Sequence, residues 1–203
     1  MCIRDRFFSD PYYFTTLLNS FKVALCATVT CLVLGVPLAY IYNVYELKGR
    51  KILQPLIVLC SMSAPFIGAY SWVLLLGRSG VITKFIKGVF GVKLPGIYGF
   101  GGILLVLSTK LFSLVFLYVS GALKNVDNSL LEASANMGRT GFKRFATVVM
   151  PLCMPSILAA ALMVFMRALA DFGTPLFIGE GYRTFALEIY KQYVGETSVN
   201  HNF

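Results

Sequence analysis

A chain of 203 residues that is 57% hydrophobic and only 13% charged, with a mean hydropathy of +0.74, carries about half the charge of a soluble domain, which holds about 25% charged residues. Residues 23–45, 52–77 and 145–166 are runs of 23, 26 and 22 residues without Asp, Glu, Lys or Arg, and residues 94–123 form a run of 30 broken only by Lys110. Each exceeds the roughly 20 residues that cross ~30 Å of hydrocarbon as a helix. The chain therefore reads as an all-α polytopic membrane protein, a helical bundle in the lipid bilayer with four spans. A soluble enzyme, a nucleic-acid-binding module and a disulfide-stapled secreted domain are excluded. The net charge of +9 does not point to nucleic acid, because the basic residues lie between the apolar runs, in Glu46–Lys51, Arg78–Lys93 and Lys124–Arg144, where membrane proteins carry loop charge.

Met1–Asp10 (MCIRDRFFSD) lacks the apolar region of a signal peptide, and its first six residues resemble a translated sequencing-adapter junction. Gly195–Phe203 is polar and stops without a closing element. The expectation is a fragment of a longer frame, with residues 1–14 a lead-in, residues 15–203 an incomplete membrane domain, and further spans beyond both ends. The first span, about 20–42, holds Gly35 and Pro37, which membrane helices tolerate when neighbours satisfy the freed backbone groups. The second, about 53–77, places Ser61, Ser63, Pro65 and Gly68 at mid-depth. That pattern fits either a kinked helix packed through small residues or a broken turn lining a polar path.

Residues 78–99 form a Gly-rich connection, with Val81–Phe90 predicted as a short interfacial helix. The third span, about 100–123, carries Lys110 near its centre. A lysine there costs roughly 2.5–3.5 kcal/mol on insertion scales, so it faces protein or water: it either pairs with a carbonyl or hydroxyl in the bundle or borders the path. Ser61, Ser63, Pro65 and Lys110 are thus the candidate path residues. The fourth span, about 152–170, ends in Arg167 and Asp171, four residues apart on one helical face, which predicts a structural ion pair. A turn-rich stretch, Phe172–Gly181, leads to Tyr182–Val194, predicted as an amphipathic surface helix. Cys2, Cys26, Cys31, Cys60 and Cys153 are scattered and His201 stands alone, so packing is expected of the cysteines, with no metal site and no disulfide.

The segment between the third and fourth spans is too long and too patterned for a connector. Asp127–Pro151 reads DNSLLEASANMGRTGFKRFATVVMP. Ser129 and Glu132 have capping-box spacing, Gly138 fits the position that ends a helix, and Thr140 can cap a second helix running on to Pro151. Here the chain resembles the permeases of binding-protein-dependent ABC transporters, whose EAA loop reads Glu-Ala-Ala, three residues, Gly, nine residues, Ile-x-Leu-Pro. Glu132-Ala133-Ser134, Gly138 and Val148-Val149-Met150-Pro151 keep that spacing, with Ser, Val and Met as size-conservative departures. A second stretch, Asp171–Gly179 followed by Tyr182-Arg183-Thr184, looks like the iron(III), polyamine, thiamine and 2-aminoethylphosphonate permeases, closest to the iron(III) type.

The resemblance implies an ABC type I transmembrane domain, one pore-forming half of an importer in the bacterial inner membrane. It implies as partners a cytoplasmic ATPase dimer, a periplasmic binding protein and a second permease half, fused or separate. It places Glu132, Ala133, Ser134 and Gly138 in the loop that docks on the ATPase, with Pro151 opening the next span. Arg139, Lys143 and Arg144 are added as rim charges. No catalytic residue and no cofactor are expected in this chain; ATP and Mg²⁺ belong to the ATPase, and no Gly-x-x-x-x-Gly-Lys-Ser/Thr sequence is present. With the 124–151 loop cytoplasmic, seven Lys and Arg lie inside against nine outside when Lys22 is counted with the N-terminal side, or seven without Arg4 and Arg6 of the adapter-like start, so the positive-inside rule does not decide orientation and only the motif does. An ion-gradient-driven secondary transporter or channel is the alternative of another class. A proton-coupled carrier calls for membrane-embedded carboxylates, and the four apolar runs hold none.

Overall fold

A proline at a helix start has no N–H to leave unsatisfied and brings its φ preset. Pro11 accordingly opens the longest element, α1 (Pro11–Val44), of 34 residues. The computed structural model describes residues 11–44, 50–61, 65–78, 80–84, 98–126 and 145–199. Along α1 the buried residues Thr16, Ser20, Val23, Ala27, Cys31 and Ala39 recur at helical spacing, and the opposite side exposes Leu18, Leu25, Val29 and Val33. The exposed side is as apolar as the buried one, as a helix in lipid requires. Pro37 lies inside α1 and withholds the N–H that would meet the Val33 carbonyl.

The expected second span is not one helix. It comprises α2 (Arg50–Ser61) and α3 (Pro65–Leu76), 12 residues each, and each therefore reaches only about 18 Å at 1.5 Å per residue. Pro65 begins α3, a position that suits proline because a first-turn N–H has no intrahelical partner to lose. Three helical stretches among the described residues are long and apolar enough to cross a membrane, namely Tyr12–Val44, Phe100–Lys124 and Phe145–Ala170. The last two are α4 (Phe100–Lys124) and the continuous pair of a π-helical turn, Phe145–Val149, with α5 (Met150–Ala170). Two shorter helices, α6 (Gly173–Ile178) and α7 (Phe185–Val199), follow.

The chain divides into two compact units. The first comprises the described residues of Met1–Ala27, Ser63–Ser108 and Met166–Phe203. In it α6 packs on α3, with the Tyr70 and Phe177 rings 6.1 Å apart. The Gly99 N–H donates to the Ile178 carbonyl at 2.9 Å. Between α6 and α7 the backbone turns through Glu180 and Gly181 at φ +36° and +98°, a left-handed corner that glycine enters without strain. Arg78 forms an ion pair with Glu180 and lies 5.2 Å over the Tyr98 ring.

Helix α7 is tied to the start of α1: Ser20 Oγ accepts the Phe185 N–H at 2.7 Å, Tyr12 Oη donates to Glu188 Oε1 at 2.7 Å, and Gln192 Nε2 donates to Tyr13 Oη at 2.9 Å. The helix predicted over Tyr182–Val194 runs from Phe185 to Val199, and its apolar residues do not share one buried side: Leu187 is buried, whereas Ile189, Tyr190 and Tyr193 are exposed. The second unit comprises the described residues of Thr28–Met62 and Thr109–Phe165. At Gly35 of α1 an added Cβ would lie 2.7 Å from the Val115 Cβ of α4. The two helices thus approach at a distance only glycine permits.

Candidate coupling and path residues

Of the residues assigned to the loop, Glu132, Ala133, Ser134, Gly138, Arg139, Lys143 and Arg144 lie outside the described residues. Pro151 is the second residue of α5 and is exposed. Its missing N–H has no bond to give the Thr147 carbonyl four residues earlier, and the turn immediately before it is the π turn Phe145–Val149. Wider turns of this kind arise where the regular i→i−4 ladder is interrupted. Of the path candidates, Ser61 ends α2, Pro65 begins α3, Ser63 lies outside the described residues, and Lys110 is half-buried on α4. Its backbone carbonyl accepts a 3.0 Å hydrogen bond from Ser113 Oγ.

Asp171, expected to pair with Arg167, has a further place in the structure. Its Oδ1 accepts the N–H groups of Gly173 and Thr174 at 3.0 and 3.3 Å, and its Oδ2 accepts the Thr174 hydroxyl at 2.8 Å. A carboxylate there satisfies first-turn donors of α6 and complements the helix dipole. Phe172 in the N-cap position has no side-chain acceptor to offer. Arg167, four residues earlier, is exposed.

The second unit holds residues that the sequence reading passed over. On the last turns of α1, Asn43 Nδ2 donates to its own helix at the Ala39 carbonyl, 2.8 Å, and across to Ser120 Oγ on α4, 3.0 Å. Tyr42 Oη donates to Gln54 Oε1 on α2 at 3.1 Å, and its ring meets Phe116 of α4 edge-on at 5.2 Å. Tyr40 packs on Phe145, the first residue of the π turn, with ring centroids 4.6 Å apart. Asn43 is the single amide in its uncharged run. A polar side chain at a helix end pointing to a neighbour was the available signal. In the first unit a cleft of about 370 Å³ opens between Tyr12, Thr15, Thr16 and Asn19 of α1 and Gly181, Tyr182 and Arg183. Burial, and then the neighbouring Cys26, raise the Tyr182 hydroxyl above its usual 10.0, so at neutral pH it is a donor, directed to the Asn19 carbonyl at 3.4 Å.

A family model described as the binding-protein-dependent transport system inner membrane component matches residues 32–197. The chain belongs to that family. The match takes in the C-terminal part of α1 from residue 32, all of α2 to α6, most of α7, and the whole 127–151 loop. This inner membrane component is accordingly a helical multi-pass protein of the bacterial inner membrane. It is 33% identical over 139 residues to the ferric transport system permease protein FbpB of Actinobacillus pleuropneumoniae, covering 68% of this chain and 20% of that protein. It is 28% identical over 191 residues to the putative ferric transport system permease protein FbpB 1 of Haemophilus influenzae, covering 94% and 30%. To the spermidine/putrescine transport system permease protein PotB of Escherichia coli it is 29% identical over 165 residues, covering 80% and 60%. The chain thus spans between a fifth and three fifths of the length of these curated relatives.

Proposed function

We propose that this inner membrane component is a permease part of an ATP-driven importer, passing substrate from a periplasmic binding protein across the inner membrane. The match over residues 32–197 carries this reading, because it includes the loop where Glu132, Gly138 and Pro151 keep the EAA spacing. Two cytoplasmic ATPase subunits bind and hydrolyse ATP with Mg²⁺, and the loop, facing the cytoplasm, docks on them through Glu132, Ala133, Ser134 and Gly138, with Arg139, Lys143 and Arg144 at the rim. A second permease half, fused or separate, completes the pore. This chain does no bond-making chemistry; its loop transmits the motion of the ATPase to a bundle that alternates its access.

Ser61, Ser63, Pro65 and Lys110 border the path, and Arg167 pairs with Asp171 as a structural ion pair near the membrane edge. Iron(III), delivered by the binding protein, is the substrate proposed first, on the two ferric-named relatives. A polyamine is the second reading, favoured by the spermidine/putrescine relative matched over 80% of this chain. The test is uptake of labelled iron(III) and spermidine into membrane vesicles holding the chain with its ATPase and binding protein. Uptake of one of them should vanish when the ATPase is inactivated. Gly138→Val and Glu132→Arg should leave insertion intact, lower uptake at least about tenfold and leave ATP hydrolysis running, consistent with coupling free energies of about 1–3 kcal/mol. Normal uptake in both variants would sink the coupling assignment.

A further inference from the structure

The two stumps from which residues 127–144 depart meet the same turn of α1. On the α4 side, Ser120 lies one turn before Lys124, the last residue of that helix, and accepts the Asn43 amide at 3.0 Å. On the α5 side, Phe145 is the first described residue after the loop and packs on Tyr40 with the rings tilted and their centroids 4.6 Å apart. We infer that the last turn of α1, Tyr40 to Asn43, is the receiver through which displacement of the loop enters the first membrane helix, with Asn43 and Ser120 as positioning residues. This rests on the coupling reading above.

The two arms differ in stiffness. Asn43 is held at both ends, to Ala39 of its own helix and to Ser120 of the next. A directional hydrogen bond in a low-dielectric interior resists sliding. Two turns back along α1, Gly35 meets Val115 with no room for a methyl group, so the α1 and α4 backbones have no slack between them. The α5 arm enters through a π turn, whose looser i→i+5 bonding absorbs motion. The stiff route is therefore from α4 to α1. It continues to α2, because Tyr42 holds Gln54 at 3.1 Å, and α2 ends at Ser61, a candidate path residue. A push on the loop thereby reaches the path through two side-chain hydrogen bonds, Ser120 with Asn43 and Tyr42 with Gln54, rather than along one helix.

The test uses the assembled transporter, reading both uptake and ATP hydrolysis, with iron(III) or spermidine as probe, whichever the unsubstituted complex accumulates. Ser120→Ala removes one hydroxyl, and Asn43→Leu keeps the branching at Cγ while removing both donors. Each should lower substrate moved per ATP by a factor of about three or more, in the range of measured coupling changes, while the amount of assembled complex stays level. The double variant should be no worse than the worse single one, since both remove one contact. Ser120→Thr, which keeps the hydroxyl, should restore the ratio. A merely structural role predicts instead that complex, hydrolysis and uptake fall together with the ratio unchanged, and that result overturns the inference. If uptake in the unsubstituted complex ignores ATPase inactivation, the coupling reading itself fails, which the Ser120 and Asn43 ratios alone cannot produce.

Discussion

At the scale of single residues, contacts turn on one atom. Gly35 lies where a Cβ would meet Val115 Cβ at 2.7 Å. Gly35→Val should therefore lower stability by about 1–3 kcal/mol, the range for overpacking, read as an earlier loss of folded protein on heating in detergent. Gly35→Ala should lie between, and Val115→Ala should restore it by clearing the same space. Outright tolerance of valine would mean that α1 and α4 do not approach this closely. The sequence marks Gly35 as helix-tolerated but not as a contact, because its partner is 80 positions away. Lys110 was legible as a residue that cannot face lipid, and it is half-buried. Asn43 was not singled out, although a lone amide in an apolar run is expensive to leave without a partner, and Ser120 supplies one.

At the scale of elements, prolines set boundaries that hydropathy alone blurs. An uncharged run of 26 residues reads as one span, yet its described residues fall in two helices of 12 residues, the second opening at Pro65. Pro151 acts differently: it follows a π turn without ending the helical stretch. Restoring the missing donor with Pro151→Ala should let Thr147 take a regular i→i−4 bond and convert the π turn to α. Losing one residue from a turn rotates what precedes it by about 100°, carrying Phe145 away from Tyr40. A cysteine pair at positions 40 and 145 should cross-link with a short reagent in the Pro151 background and lose most of that yield with alanine. Equal yields would show that the proline does not hold the wide turn. The sequence predicts Pro151 as a span opener; it lies instead within a helical stretch that runs from Phe145 to Ala170, just past the change from π to α.

At the scale of the whole molecule, the exposed side chains are those of a protein solvated by lipid. Val33 is 66% exposed and Leu162 on α5 is also 66% exposed, as apolar as anything in the core. Val33→Lys should reduce the inserted fraction in a protease-protection assay, by an amount matching roughly 2.5–3.5 kcal/mol, whereas Val33→Leu should be neutral. Unchanged insertion of the lysine variant would place that face against water or a partner. Composition and periodicity by themselves determined the all-α membrane class, and motif spacing determined the family, because both are local properties: uncharged run length measures a bilayer, and Glu132-to-Pro151 spacing is counted along the chain. Which residues meet was decided only in three dimensions. Asn43 with Ser120, Tyr40 with Phe145 and Gly35 with Val115 are separated by 77 to 105 positions. In lipid, apolar pattern does not tell a packed face from a solvated one, so only close approach and hydrogen-bond satisfaction choose the partners.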